Sequence, residues 1–275
     1  MSYPLSEPDA LELLDVATEA AVAAGTHALD HVSRRNEIAA RTKHDVKLRL
    51  DIECQTVAER IVRSKYPEHR FLGEENTPPV LTGTRNGRTE TDSPYLWIVD
   101  PIDGTVNFSH GLPHWCCSVA CRKRDETVVG VVYAPALNRL YQASAETQAV
   151  CNEQPVRVST VDTLSRAMAL SAMDMDLRPG HEPLSLFRDI ALHAQKGRIL
   201  GAAALDLCMV AAGAADAYFE ARIYEWDIAA GDLIVRRAGG ATEALRQPDD
   251  THNLAFLATN GRIHDELRAL VLPGL

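Results

Sequence analysis

The sequence predicts a mixed α/β protein built from stacked layers of helices and sheets, and three observations carry that expectation. The first third shows apolar residues at helical spacing. The stretch from Trp115 to Val158 alternates like an antiparallel β-meander, and helical and strand-like runs alternate after about Ser159. The chain has 275 residues with 46% hydrophobic and 24% charged, the composition of a globular protein with a sizeable core. This length suits roughly two domain-sized units or one large single-core body. Residues 1–158 and 159–275 are the expected halves of one compact unit, with a soft boundary and no flexible linker between them.

The elements follow in order. Ser6 with Asp9 has the spacing of a capping box, and Pro8 suits a first helical turn. Leu11, Leu14, Ala21, Ala28 and Val32 then mark the buried side of a long Ala-rich helix. A second helix is expected from Asp51 to Lys65, with Cys54, Val57, Ala58, Ile61 and Val62 inward and Tyr66-Pro67 ending it. Short strands are expected at Arg70–Leu72 and Tyr95–Val99, separated by a surface excursion from Thr77 to Pro94. The meander comprises WCCSVACRK, TVVGVVYAP, RLYQASA and AVCNEQPVRVS. Strands are then expected at 167–172, 197–200, 217–220, 241–245 and 254–258, and helices at 184–195, 202–212 and 228–238.

Charge and cysteine content narrow the function. The 28 Lys+Arg and 38 Asp+Glu leave a net charge of −10, which argues against a nucleic-acid backbone as partner and favours a metal ion. No apolar run reaches the roughly 18 residues that span a bilayer, and the N-terminus carries acids where a signal peptide carries bases, so a cytoplasmic location is expected. The six cysteines form no CxxC pair and are expected to be reduced and buried. Strand alternation puts Cys117 and Cys121 on one face and Cys116 on the other, so they cannot share a zinc.

The chemistry concentrates in WIVDPIDGTVNF, residues 97–108. A hydrophobic strand delivers Asp100 at its end, Pro101 shapes the turn, and Asp103 returns three residues later. Two carboxylates this close repel unless a cation or a shared proton intervenes, and Mg²⁺ takes such oxygen ligands together with a substrate phosphate. Gly104 and Thr105 supply backbone amides where a helix is expected to begin, the natural place for a phosphate. Gly73-Glu74-Glu75 after a strand and Trp226-Asp227 opening a helix add two further acidic sites. His110 and His114 have Gly111 and Pro113 between them, which argues against a zinc pair on a helix. Arg34, Arg35, Arg41 and Lys43 form a small basic patch that reads as a solvated face, and the three tryptophans as core or site walls.

FLGEE at 71–75, WIVDPIDGTVNF, and GAAALDLCMVAAGAADAYFEARIYEWDIAAG followed by Ala238-Gly239-Gly240 together resemble the inositol monophosphatase family, collinearly from about Lys43 to Gly240. The resemblance implies a five-layered α/β/α/β/α sandwich, usually dimeric, with Mg²⁺-dependent and commonly lithium-sensitive phosphomonoesterase activity. It assigns Glu74, Asp100 and the Ile102 carbonyl to a first metal, and Asp100, Asp103 and Asp227 to a second. Glu74 and Thr105 would orient the attacking water, with Asp51 supporting a water or neighbouring ligand. Asp103, Gly104, Thr105 and Ala203 would contact phosphate or substrate, with Asp227 at the same site, and Glu220 matches the residue that binds polyol hydroxyls. The family loop that carries a lysine and helps organise a third, weaker ion is shortened here between Thr42 and Asp51, so the resemblance implies two or three Mg²⁺ ions and leaves the third, with the role of Lys43, open. Asn107-Phe108 and Glu220 resemble the branch acting on inositol phosphates more than the nucleotidase branch. Fructose 1,6-bisphosphate, histidinol phosphate and 3′-phosphoadenosine nucleotides are the alternative substrates, and a regulatory binding role is the alternative of another class.

Overall fold

The computed structural model describes residues 8–41, 46–76, 93–172, 185–246 and 254–274. In chain order the elements are α1 (Ala10–Asp30), β1 (Ile38–Arg41), β2 (Val46–Leu48), α2 (Arg49–Lys65), β3 (Arg70–Gly73), β4 (Tyr95–Asp103), α3 (Thr105–His110), β5 (Cys116–Lys123), β6 (Glu126–Ala134), β7 (Arg139–Ser144), β8 (Val150–Cys151) and β9 (Gln154–Pro155). They continue as β10 (Met168–Ser171), α4 (Ser185–His193), β11 (Lys196–Arg198), α5 (Ala203–Ala211), β12 (Ala217–Ile223), α6 (Glu225–Arg237), β13 (Ala241–Arg246), β14 (Leu254–Thr259) and α7 (His264–Val271).

Alternation along the strands sorts these elements into layers. β3 to β9 form one seven-stranded sheet in sequence order, parallel only at β3–β4. One face of it, with Trp97, Val99, Cys117, Val119 and Cys121, packs on α1 and α2. The opposite face, with Ile98, Cys116, Ala120 and Val132, packs on α5 and α6. Those two helices also cover Tyr218, Phe256 and Ala258 of a five-stranded sheet ordered β11-β10-β12-β14-β13. Its outer face, with Ala169, Phe219 and Leu257, packs on Ile190 of α4 and on Leu267 and Val271 of α7. The order is therefore helix, sheet, helix, sheet, helix, the layered sandwich expected from the sequence. Gly130 of β6 shows how closely the layers meet, since a Cβ there would stand 2.7 Å from the Ala230 carbonyl oxygen of α6. All six cysteines are free and buried, and Cys116 lies on the face opposite Cys117 and Cys121 as alternation requires.

Several local expectations are corrected. Asp9, not Ser6, caps α1: it accepts from the Leu11 and Glu12 amides while the Glu12 carboxylate accepts from the Asp9 amide. Ser6 lies outside the described residues, and Pro8 precedes the helix. The buried face of α1 is Leu13, Val16, Ala17, Ala20, Ala21, Ala24 and Ala28, whereas Leu11 and Val32 are exposed. Ala21 and Ala28 lie on that face as expected and Leu14 packs half-buried against it, so the periodicity finds the face and errs only at its ends. In α2, Val57 and Ile61 are only half-buried, while Leu50, Asp51 and Gln55 turn inward. α6 begins three residues before the expected Ile228. Of the expected excursion, residues 77–92 lie outside the described residues, as do Lys43 and Leu184.

An aromatic stack closes the α2 side of the large sheet. His69 lies between Tyr66 and Tyr95 at centroid distances of 4.5 and 4.6 Å, and its Nδ1 accepts from Trp97 Nε1 at 3.0 Å. Burial pushes its pKa down to about 4, so the ring is neutral and able to accept. No described helix is long and apolar enough to cross a membrane.

Candidate active site

β4 does not end where its first carboxylate appears. Pairing with β5 continues from Asp100–Ser118 to Asp103–Cys116 across a register shift, and Pro101 sits in the irregularity where its missing N–H does no harm. The Asp100 carboxylate folds back to accept from the Ile102 amide at 3.0 Å. Gly104 then takes φ +87°, and a Cβ there would lie 3.0–3.1 Å from Ala202 Cβ, the Gly201 oxygen and the His114 oxygen. Only glycine allows this left-handed turn in so little space. α3 follows at Thr105, with its hydroxyl donating to the Ile102 carbonyl at 2.9 Å. Phe108 and Trp115, packed edge to face at 4.8 Å, pin the short helix against the core, a contact that contributes about 0.5–1.5 kcal/mol.

Three elements bring acids to this strand end. Asp227 lies in the first turn of α6 and accepts from the Tyr224 amide at 3.0 Å, so the helix start fixes its direction. Ligand oxygens of Asp100, Asp103 and Asp227 all lie within 4.8 Å of one another. Glu74, just after β3, hydrogen-bonds to Asp100 through its side chain. Burial, then the charges of Glu74, Asp103 and Asp227, push the Asp100 carboxyl well above the usual carboxylate range. Burial and the charges of Glu74, Asp103 and Glu220 do the same to Asp227. Asp103 is pushed up to about 6 by burial, against hydrogen bonds from the Cys116 thiol and the Leu205 and Ala204 amides that hold it down. Acids arranged this way share protons or take up a hard cation, and an all-oxygen donor set of this charge fits Mg²⁺.

Asp103 also organises the opposite wall. Its carboxylate accepts from the Ala203, Ala204 and Leu205 amides at 3.0, 2.8 and 3.4 Å, capping α5 from across the chain. Ala203 thus stands beside the acids with its N–H turned to Asp103. Glu220 lies on β12, near enough for its charge to act on Asp227. Asp51 faces inward at the start of α2 and accepts from the Leu48 amide at 2.7 Å.

Other groups here escape sequence reasoning. Gln55, buried on α2, accepts from the Glu75 amide at 2.9 Å, and Lys47 reaches the Glu75 carboxylate at 3.6 Å. Glu75 is thereby tied to its scaffold while Glu74 meets Asp100, a division of labour that the Glu-Glu pair does not reveal. His114 bonds to Asp206 at 2.7 Å, and Asn107 donates to the His114 and Leu200 carbonyls at 2.8 Å each, which stitches the α3 turn to α5. Arg34 is paired with Glu37 and Glu53 rather than directed at the acids. A tyrosine two residues before a strand glutamate is the one legible sign of a further contact, from Tyr218 to Glu220.

The two-sheet sandwich and the acid cluster at its β4 end define a phosphoric monoester hydrolase. The chain belongs to the inositol monophosphatase family, whose model matches residues 9–272. It is 33% identical over 268 residues to the inositol-1-monophosphatase of Synechocystis sp., covering 96% of this chain and 90% of that protein. It is 36% identical over 231 residues to the Nus factor SuhB of Pasteurella multocida, covering 83% of each. The solved inositol monophosphatase of Anabaena (Nostoc) sp. superposes with a TM-score of 0.80 at 32% identity, covering 96% of both chains.

Proposed function

We propose that this protein is a Mg²⁺-dependent phosphatase of small phosphorylated polyols, with myo-inositol monophosphate as its preferred substrate. The observation that carries the reading is the convergence of Asp100, Asp103 and Asp227 within 4.8 Å beside Glu74 and the first turn of α3. Glu74, Asp100 and the Ile102 carbonyl would hold one ion, and Asp100, Asp103 and Asp227 a second. When bound, Mg²⁺ supplies Lewis-acid neutralisation of the phosphate charge and acidifies an attacking water.

The chain's own groups do the rest. The Thr105 hydroxyl spends its proton on the Ile102 carbonyl, so its oxygen is left to accept from the attacking water, which Glu74 orients from the other side. The Gly104 and Thr105 amides at the start of α3 bind phosphate oxygens, and Asp103 and Ala203 line the substrate's opposite side. Glu220 accepts from ring hydroxyls, which is where a polyol is distinguished from a simple phosphate ester. Asp51 supports the site from the start of α2. The homodimer and the cytoplasmic location expected from the sequence belong to this same proposal.

Phosphate release from myo-inositol monophosphate, fructose 1,6-bisphosphate, histidinol phosphate and a 3′-phosphoadenosine nucleotide, each with Mg²⁺ and with chelator, tests the reading. The highest kcat/KM is expected for the inositol ester, in Mg²⁺ alone. A higher value for another ester overturns the substrate. The relative named as a Nus factor favours a second reading, a regulatory binding role, and absence of turnover on every ester would support it.

A further inference from the structure

Glu220 is held by a partner that the sequence motifs do not include. Along β12, Tyr218 faces the core between the two sheets, whereas Phe219 and Ala221 face the outer core. Alternation therefore puts Tyr218 and Glu220 on one face, toward α5 and α6. Tyr218 is 1% exposed, and its hydroxyl donates to Glu220 Oε2. A buried phenol needs a partner for its O–H, so the bond is required by the fold as much as by the glutamate.

The two ends of this bond differ in freedom. Tyr218 lies in the middle of the sheet, paired with Leu170 of β10 and Ala258 of β14. Regular pairing of β12 with β14 breaks just after Glu220, where the register shifts. A glutamate at that point has three side-chain torsions and stands near the like charge of Asp227. The phenol is thus the fixed end of the bond. Burial and the charge of Glu220 push the phenol's pKa well up, so it remains a donor.

We infer that Tyr218 is a specificity-determining positioning residue, its buried hydroxyl holding the Glu220 carboxylate in the orientation that meets substrate hydroxyls. The inference rests on the reading of Glu220 given under the proposed function. Tyr218→Phe removes the hydroxyl and keeps the ring. The measurement is the ratio of kcat/KM for myo-inositol monophosphate to that for an aryl phosphate, in wild type, Tyr218→Phe, Glu220→Ala and the double variant. Loss of one charge-assisted hydrogen bond should lower the ratio about tenfold in Tyr218→Phe. In the Glu220→Ala background the same change should have no further effect, whereas a purely structural role for the hydroxyl would act in either background.

If Glu220→Ala lowers the ratio and Tyr218→Phe leaves it unchanged, the inference is overturned and the reading of Glu220 stands. If Glu220→Ala itself leaves the ratio unchanged, both fail. Should Tyr218→Phe not accumulate as folded protein, Glu220→Gln reads the bond from its other end. The amide oxygen still accepts from Tyr218, so the variant should keep most of the preference that Glu220→Ala loses, and equal losses would overturn the inference.

Discussion

Replacing Asp100 with asparagine preserves the size of the side chain and the acceptor for the Ile102 amide, yet it removes the charge that acts on Glu74, Asp103 and Asp227. At an effective dielectric of about 20, two full charges 4.8 Å apart repel by about 3.5 kcal/mol. Asp100 belongs to two of the three pairs in the cluster, each at 4.8 Å or less, so it brings about 7 kcal/mol of repulsion or more when all are ionised. Proton uptake removes much of this, as the raised affinities of Asp100 and Asp227 for protons require. A gain of about 1–3 kcal/mol is therefore expected for ion-free Asp100→Asn, or roughly 2–10 °C in melting temperature.

Mg²⁺ should offset most or all of this difference. Saturation at a hundredfold excess over Kd stabilises wild type by about 2.7 kcal/mol, roughly 5–10 °C in a chain of this size, and should scarcely move the variant. Differential scanning calorimetry in chelator and in Mg²⁺ reads both effects, with turnover nearly abolished in the variant. A variant less stable than wild type in chelator would refute the repulsion argument. One raised as much as wild type by Mg²⁺ would refute the metal assignment.

Three other perturbations follow from the same structure. Glu74→Gln should lower kcat far more than it raises KM, because Glu74 meets Asp100 and its proposed work is on the metal and the water; a normal kcat with a large KM in steady-state kinetics would make it a substrate contact instead. Gly130→Ala should cost about 1–3 kcal/mol in chemical denaturation, because its Cβ would meet the Ala230 backbone at 2.7–3.2 Å, and an unchanged midpoint would mean that the layers can part without cost. His69 should titrate near pH 4 by NMR rather than near 6.5. Its folded pKa is depressed, so its stability contribution is complete above about 6.5 and declines as pH falls toward 4; a ring titrating near 6.5 would show that the aromatic stack does not exclude the charge.

The parts legible in the sequence are those whose cause is local. Strand alternation fixes the faces of Cys116, Cys117 and Cys121, and the string around Asp100 declares its own turn and helix start. Asp227 is legible as the acid opening a helix. Pro101 misleads because proline ordinarily ends a strand, whereas here a register shift lets β4 run on to Asp103. In α1 the helical spacing finds Ala21 and Ala28 on the buried face but runs past the packed stretch to the exposed Leu11 and Val32. What stays hidden depends on residues distant in sequence. The Asp103 carboxylate capping α5, the His114–Asp206 bond and the separate fates of Glu74 and Glu75 arise only when α5 and α2 pack on the large sheet.

The central claim, that this acid cluster is the centre of a metal-dependent phosphomonoesterase, is tested most directly by phosphate release from myo-inositol monophosphate. Wild-type protein would be stripped with chelator, assayed, and then titrated with Mg²⁺. Turnover should be absent in the stripped protein and return in full with added Mg²⁺. Turnover that survives stripping, or that Mg²⁺ fails to restore to correctly folded protein, would contradict the account.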